Sequence, residues 1–388
     1  MSVDDDTFDQ LLDTVTRFTR ERLIPAEDRV EQEDEIPEEI VQEMREMGLF
    51  GLSIPEEMGG IGLTTLQESR LIEALCYASV VFRSLIGTNV GIGSQGIVMD
   101  GTPEQKAEYL PKLASGEMIA SFALTEPDIG SDAAHLKTTA RRDGSDFVIN
   151  GTTRYLTKAV RAGVFTVFAR TDPDRDGGDG VSAFLVPADT PGITVAKPDR
   201  KLGQRGTKTS DVIFDDVRIP EENIIGGPQN LNRGFRTAMK VLDRGRVHVA
   251  SIAVGTAQRM LDLATAYALD RVQFGQPIAQ HQFVQGMLAE SQAELLAARH
   301  LVRATAAEYD SRGQAILMAS SSKFFASEMA FRVADRALQI HGGAGYMAEY
   351  PIERLFRDCR LLRIYEGTSQ IQQVIIARRM IKEYEDRA

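Results

Sequence analysis

What most constrains the fold of this chain is a double switch in the spacing of its apolar residues. From Phe8 to about Ala120 they recur every three or four positions. Phe8, Leu11, Leu12, Val15 and Phe18 form one such series, and Ile40, Val41, Met44 and Met47 form another. That period stacks side chains on one face of a helix. Between Ile119 and about Ile225 the texture becomes short β-branched and aromatic runs: Val164 to Ala169, Val181 to Val186 and Val212 to Phe214. Asp176-Gly177-Gly178 and Thr190-Pro191-Gly192 punctuate them, and Asn150-Gly151, set between Phe147-Val148-Ile149 and Thr152 to Thr157, is the preferred dipeptide of a tight hairpin turn. From about Leu231 the helical period returns. It predicts one face carrying Leu261, Ala264, Thr265 and Ala268, and another carrying Met287, Leu288, Ala293, Leu296 and Ala297 with Glu290 as a polar exception. No linker, repeat or low-complexity segment intervenes. The expected class is therefore α+β. It comprises an N-terminal helical domain over 1–120, a middle antiparallel β-barrel domain over 121–230 and a C-terminal helical bundle over 231–388.

Local signals refine this outline. Thr65 to about Ile92 reads as one long, mostly apolar helical stretch. Thr102-Pro103-Glu104-Gln105 has the makings of a capping box with proline in the first turn. Thr368 and Ser369 are positioned to cap a last helix that reads Ile371, Val374, Ile375, Arg378.

Composition excludes several function classes. With 56 acidic against 44 basic side chains the net charge is −12, the wrong sign for a sequence-independent grip on nucleic acid. Two distant cysteines, Cys76 and Cys359, and five scattered histidines offer neither a disulfide framework nor metal-ligand spacing. No run approaches the ~18 apolar residues of a membrane span, and the opening Met1 to Asp6 is acidic and lacks the pattern of a signal peptide. A soluble cytoplasmic protein is expected.

Four stretches bear on chemistry, each with two readings. Gly91-Ile92-Gly93-Ser94-Gln95-Gly96 satisfies G-x-G-x-x-G, but no strand-helix-strand alternation surrounds it, so its glycines mark close helix contacts or a gap facing a ligand. The loop from Ala123 to Asp132 could hold a phosphate or the edge of a heteroaromatic ring, or be a capped turn. His341-Gly342-Gly343 permits close approach of a ligand, or ends a helix. Glu366, between apolar Leu361, Leu362 and Ile364 and a glycine, is a candidate base with a raised pKa, or an ordinary loop glutamate.

Taken together, Leu124-Thr125-Glu126-Pro127 with Gly130-Ser131-Asp132, Arg271-Val272-Gln273-Phe274-Gly275, Gln339-Ile340-His341-Gly342-Gly343 and Tyr365 to Gln372 resemble the acyl-CoA dehydrogenase family, in order and separation along essentially the whole chain. The resemblance implies a four-helix C-terminal bundle, bound FAD and α,β-dehydrogenation of an acyl-CoA thioester, with Glu366 removing the α-proton while hydride leaves the β-carbon. Some relatives carry the base instead in a Leu-Asp-x-Glu-Arg stretch. The matching segment here, Leu242-Asp243-Arg244-Gly245-Arg246, has glycine at that place, which supports Glu366 as sole base. By the same resemblance Phe122, Leu124, Thr125, Ser131, Tyr155 and Thr157 line the flavin, with Tyr155 where many members have tryptophan and Lys158 where asparagine is usual. Arg271, Phe274, Gln282, Gln339, Gly343, Thr368 and Gln370 surround the adenine and pyrophosphate, several of them from a neighbouring subunit, implying a homodimer or homotetramer. Ser131, Asp243, Arg246 and Gly367 lie on the CoA or acyl side.

Arg83 interrupts the apolar run from Tyr77 to Ile86 and needs a partner. Glutaryl-CoA dehydrogenases have Arg-Ser at what looks like the same place, so Arg83 either faces a polar or dicarboxylic acyl tail or makes a structural ion pair. The resemblance further implies an electron-transferring flavoprotein as electron acceptor. It also admits two rivals, an acyl-CoA oxidase and a noncatalytic flavin-containing DNA-associated protein, the first disfavoured by the chain length and the second by its acidity.

Overall fold

Helices form in the first third where the period places them. In the computed structural model, which describes residues 3–387, α1 (Asp5–Phe18) is capped by Asp4, whose side chain accepts from the Thr7 amide, and it buries Phe8, Val15 and Phe18. Met1 and Ser2 of the acidic opening segment, with Ala388, lie outside the described residues. A π-helical turn, Thr19–Leu23, leads into α2 (Ile24–Glu33), and α3 (Glu38–Glu46) turns Ile40, Val41 and Met44 inward. The stretch expected as one helix from Thr65 is two, α4 (Thr65–Leu75) and α5 (Val80–Val90). Buried carboxylates satisfy the break. The Ser79 amide donates to Glu27 Oε1 at 2.7 Å, and the Ser79 hydroxyl donates to Asp358 Oδ2 at 3.2 Å. After α6 (Gln95–Asp100), α7 (Pro103–Ser115) opens with the expected capping box of Thr102 and Gln105.

The middle region is a seven-stranded sheet of β1 (Ala120–Ala123), β2 (Thr139–Asp143), β3 (Asp146–Thr157), β4 (Val164–Arg170), β5 (Val181–Pro187), β6 (Ile193–Val195) and β7 (Thr209–Pro220). Its order is β1-β4-β2-β3-β7-β6, with β5 on β4. Most pairs are antiparallel, as expected, but β1 runs parallel to β4, and the order ends on separate edges rather than closing into a barrel. The Asn150-Gly151 turn is a correction. β3 passes straight through it, and the hairpin instead turns between Asp143 and Asp146. Asn150-Gly151 is a bulge against β7, where a Cβ on Gly151 would come within 2.4 Å of Thr138 Oγ1. Close backbone approach, and not a turn, is what this glycine serves. A second bulge, between Thr153 and Leu156, holds Tyr155 at φ +60°.

The C-terminal region packs α8 (Gly234–Asp270), a 37-residue helix, against α9 (Gln282–Arg312) and α10 (Ile316–His341), with α12 (Ser369–Glu385) along α10. A two-strand ribbon, β8 (Val272–Gln273) and β9 (Gln276–Pro277), joins α8 to α9, and α11 (Pro351–Cys359) lies between α10 and α12. On α8 the expected face holds, since Leu261, Ala264 and Ala268 are buried. On α9 the inward stripe is Ser291, Leu295, Ala298 and Val302, one position off the expected line, and Leu296 is 43% exposed in the single chain. The G-x-G-x-x-G glycines serve close packing, for a Cβ on Gly93 would meet the Ala120 Cβ at 2.4 Å. The three regions are tied together at α11. Asp358 there accepts from Ser79 and from the Gln204 amide, and Arg354 donates to Glu27 at 2.9 Å.

Candidate active site

Glu366 sits on a short turn between α11 and α12, and the turn is held in an uncommon conformation. Glu366 has φ +52° and Gly367 φ +90°. Left-handed geometry at a glutamate costs on the order of 1 kcal/mol or more and persists only where the surroundings enforce it. Here they do so through carbonyls. Gln372 Nε2 donates to the Glu366 carbonyl at 3.1 Å and to the Gly367 carbonyl at 3.0 Å, and Lys323 Nζ donates to the Gly367 carbonyl at 2.8 Å. Both side chains are wholly buried. Thr368 accepts from the Ile371 amide and starts α12, as its sequence implied.

The Glu366 side chain is aimed at α8. A Cβ placed on Gly245 would lie 2.1 Å from Glu366 Oε2, so the missing side chain of Gly245 is the space this carboxylate occupies. Oε2 is out of contact with solvent and has no hydrogen-bond partner. Burial pushes the carboxyl pKa up, against the opposing pull of Arg83, Lys323 and Arg246. A glutamate at position 245 would compete for the same volume, so a base on α8 and a base at 366 exclude one another. Gly245→Ala is therefore expected to displace Glu366 and cut turnover at least about tenfold, consistent with the cost of misplacing a reacting group by ~1 Å. Steady-state kinetics at matched flavin content checks it.

Around this carboxylate the chain gathers a set of buried polar groups. Arg83 on α5 is 7% exposed, its Nη2 lies 3.3 Å from His248 Nδ1, and its Nε has no partner. Among the described residues no carboxylate forms an ion pair with it. Of the two readings of Arg83, the structural ion pair is therefore absent. Tyr365 presents a buried hydroxyl that also lacks a partner, and its pKa is raised by burial. On α8, Asp243 accepts from the Ala315 amide at 3.1 Å and lies 3.6 Å from Arg246, both side chains being buried. Burial pushes Lys323 down to about 8, with the nearby Glu366 charge opposing that fall.

The other predicted residues fall into two places. Phe122 lies in β1, Leu124 and Thr125 follow it, and the Arg154 amide donates to the Thr125 carbonyl at 2.7 Å, bringing that segment beside Tyr155. Ser121 donates to the Thr157 carbonyl at 2.9 Å, joining the same two strands a turn further on. Glu126, which drew no assignment, braces the loop by accepting from the Lys137 amide at 2.8 Å and the Thr138 amide at 2.6 Å. That bracing leaves Ser131 exposed and open space around Gly130. Tyr155, raised by its bulge, is 59% exposed.

Arg271, Phe274, Gln282, Gln339 and Gly343 collect instead at the far end of the bundle, where Tyr267 stacks on His341 with ring centroids 4.4 Å apart. They are on the surface of the single chain, Phe274 almost completely. Thr368 and the exposed Gln370 stay with Glu366 on its turn and the first turn of α12. Cavities of about 400 Å³ beside α7 and about 420 Å³ between α1 and α4 include none of these residues. Among the described residues there is no group of three or more potential metal ligands, and no helix is long and apolar enough to cross a membrane.

Lys323, Gln372, Glu68, Arg244 and His248 are the members of the site that sequence reasoning missed. Lys323 had one signal, a lone cation between the small residues Ala319 to Ser322 and the aromatic pair Phe324-Phe325. His248 stands among Val247, Val249 and Ala250 in the same way.

Comparison with known proteins bears on the chain as a whole. Three domain models of one family match in succession: the acyl-CoA dehydrogenase N-terminal domain over residues 5–117, the middle domain over 121–217 and the C-terminal domain over 232–381. The chain is 41% identical over 368 residues to a probable acyl-CoA dehydrogenase, YngJ, of Bacillus subtilis, covering 95% of this chain and 96% of that one. It is 39% identical to subunit CarC of the caffeyl-CoA reductase-Etf complex of Acetobacterium woodii, over 92% of this chain and 93% of that one. A solved glutaryl-coenzyme A dehydrogenase in complex with glutaryl-CoA superimposes with a TM-score of 0.93 at 33% identity, covering 98% and 96% of the two chains. The chain belongs to the acyl-CoA dehydrogenase family, whose members are FAD-dependent flavoprotein oxidoreductases.

Proposed function

We propose that this chain dehydrogenates an acyl-CoA thioester between its α and β carbons, with Glu366 as the base that takes the α-proton. The observation that carries this reading is the carboxylate itself. Glu366 Oε2 is desolvated, unpartnered, and lies in a gap that only glycine at 245 leaves open. A thioester α-proton is weakly acidic, so its removal needs a base stripped of water and fixed donors for the developing enolate. The Glu366 amide N–H finds no acceptor among the described residues and is available for that oxygen. Lys323 and Gln372 hold the turn so that base and amide keep their relative placement.

The residues present fit FAD. The exposed ring of Tyr155, the adjoining Thr125 and Thr157, and the open space at Gly130 form a face on which a flat heteroaromatic ring can lie. Phe122, Leu124 and Ser131 border it. When bound there, FAD supplies the acceptor for the hydride leaving the β-carbon. Arg271, Phe274, Gln282, Gln339 and Gly343, remote from that face and exposed, would serve the adenine and pyrophosphate of a second copy's cofactor. That arrangement makes a homo-oligomer part of the proposal, and the apolar surface of Phe274, Phe283 and Tyr346 at the same end supports it. Asp243, Arg246 and Gly367 are assigned to the CoA and thioester side. The Etf complex to which the CarC relative belongs points to an electron-transferring flavoprotein as redox partner.

For substrate class, Arg83 supports an acyl tail ending in a carboxylate. A buried guanidinium without a counter-ion costs several kcal/mol unless an anion completes it, and Arg83 is the leading cationic influence on Glu366. The test of the overall reading is anaerobic titration of the flavoprotein with butyryl-, longer-chain and glutaryl-CoA. Bleaching of the flavin by at least one is expected, and no bleaching by any thioester rejects the activity.

A further inference from the structure

Arg83 is backed by a buried chain of polar groups, three of which the proposed reaction leaves without a role. Glu68 on α4, His248 and Arg244 on α8, and Arg83 on α5 are 0, 1, 6 and 7% exposed. His248 Nε2 lies 3.0 Å from Glu68 Oε2 and 3.3 Å from Arg244 Nη1, and its other ring nitrogen, Nδ1, lies 3.3 Å from Arg83 Nη2. Arg244 pairs with the same Glu68 oxygen, and its Nη1 reaches the Val90 carbonyl at 3.4 Å.

This geometry fixes the histidine tautomer. Between a carboxylate oxygen at 3.0 Å and a guanidinium nitrogen at 3.3 Å, Nε2 carries the hydrogen and donates it to the nearer carboxylate. Facing a guanidinium that can only donate, Nδ1 must accept. The ring is then neutral, in keeping with burial, which lowers its pKa. Glu68 stays ionised, held down to about 2 by Arg244 and His248 although burial opposes them. Within these four residues one negative charge faces two positive ones, Glu68 is already engaged by Arg244, and the Glu366 carboxyl that also feels Arg83 is pushed toward its neutral form by burial. The surplus belongs to Arg83.

A buried arginine is usually held by a carboxylate, which fixes it in place and cancels its charge. His248 does the first without the second. It carries the anchoring of Glu68 across its ring to Arg83 while contributing no charge. We propose that His248, backed by Glu68, is a positioning residue that holds the Arg83 guanidinium for a carboxylate-ended acyl tail while leaving its positive charge free for that tail. The proposal rests on the assignment of Arg83 made above, and the experiment separates the two.

The experiment measures kcat/KM for glutaryl-CoA and for butyryl-CoA in the wild-type holoenzyme and in Arg83→Ala, His248→Leu, His248→Asn and His248→Asp. The readout is the ratio of the two values. His248→Leu removes the acceptor, and the glutaryl to butyryl ratio should fall at least about tenfold, through KM for glutaryl-CoA, as expected for a lost hydrogen bond to a charged group. His248→Asn keeps an acceptor without charge and should stay within about threefold of the wild type. His248→Asp keeps an acceptor but adds the cancelling charge, and should lose the preference as the leucine variant does. Asn and Asp differ by one charge at equal size, so that pair decides the question even where the leucine variant does not fold. A preference that Arg83→Ala abolishes but that survives in both His248→Leu and His248→Asp overturns the role of His248 alone. A wild type without any preference for glutaryl-CoA removes the assignment of Arg83, and this inference with it.

Discussion

Glu366→Gln is expected to lower turnover by about 10²- to 10⁴-fold, the range a positioned general base supplies, while the protein stays yellow. The amide matches the carboxylate in size, so the space at Gly245 remains filled and the turn held by Lys323 and Gln372 is undisturbed. What disappears is the basic carboxylate oxygen that takes the proton. Anaerobic mixing with a thioester that bleaches the wild type should leave the variant's flavin oxidised. Rapid bleaching of Glu366→Gln would move the base elsewhere.

The same substitution carries a signature in stability. Burial raises the Glu366 pKa above its unfolded value. The carboxyl therefore favours folding at low pH, where it is protonated in both states, and that contribution is lost as pH rises through the raised folded pKa. Glutamine has no such loss. Tm of the variant should match the wild type at acidic pH and exceed it near neutrality. A variant less stable than the wild type at neutral pH would contradict the strained, desolvated state assigned to this carboxylate.

Arg83→Ala is expected to reduce kcat/KM for glutaryl-CoA by about 10- to 100-fold more than for butyryl-CoA, the equivalent of a charge-assisted hydrogen bond worth ~1.5–3 kcal/mol. Its second effect reaches the base. The Arg83 charge pulls the Glu366 pKa down, so with butyryl-CoA the rise of kcat with pH should begin lower than with glutaryl-CoA, whose carboxylate offsets that charge. In Arg83→Ala the rise should move to higher pH even with butyryl-CoA. Equal handling of the two thioesters by both proteins, with superimposable pH profiles, would leave Arg83 with no part in recognition.

How much of this was legible beforehand depended on how far apart in sequence the partners lie. The inward residues of α1 and α3 and the capping box at Thr102 follow from neighbours within a turn, and the structure has them as expected. Asn150-Gly151 misled because a glycine required by a close strand and a glycine required by a turn look alike in sequence. Only the approach of Thr138 distinguishes them. On α9, small and large apolar residues alternate around more than one face, and the buried line was settled by what α8 and α10 present. Around the base, Glu366 itself could be read, and so could the glycine at 245. Lys323, 44 positions before it donates a hydrogen bond to Gly367 of α10's neighbouring turn, could not. Nor could His248, whose partners include Glu68 of α4 and Arg83 of α5, the latter 165 positions away.

The tie at α11 has a thermodynamic consequence. Asp358 is almost fully buried, and the groups it accepts from belong to the N-terminal helices and to the loop before β7, while its own helix belongs to the C-terminal bundle. Releasing any one region strands a buried carboxyl and the donors that met it, at ~1–3 kcal/mol for each group left unsatisfied. Heating should therefore take all three regions through one calorimetric transition, in spite of their contrasting compositions, whereas a scan that resolves separate endotherms would show the regions melting independently.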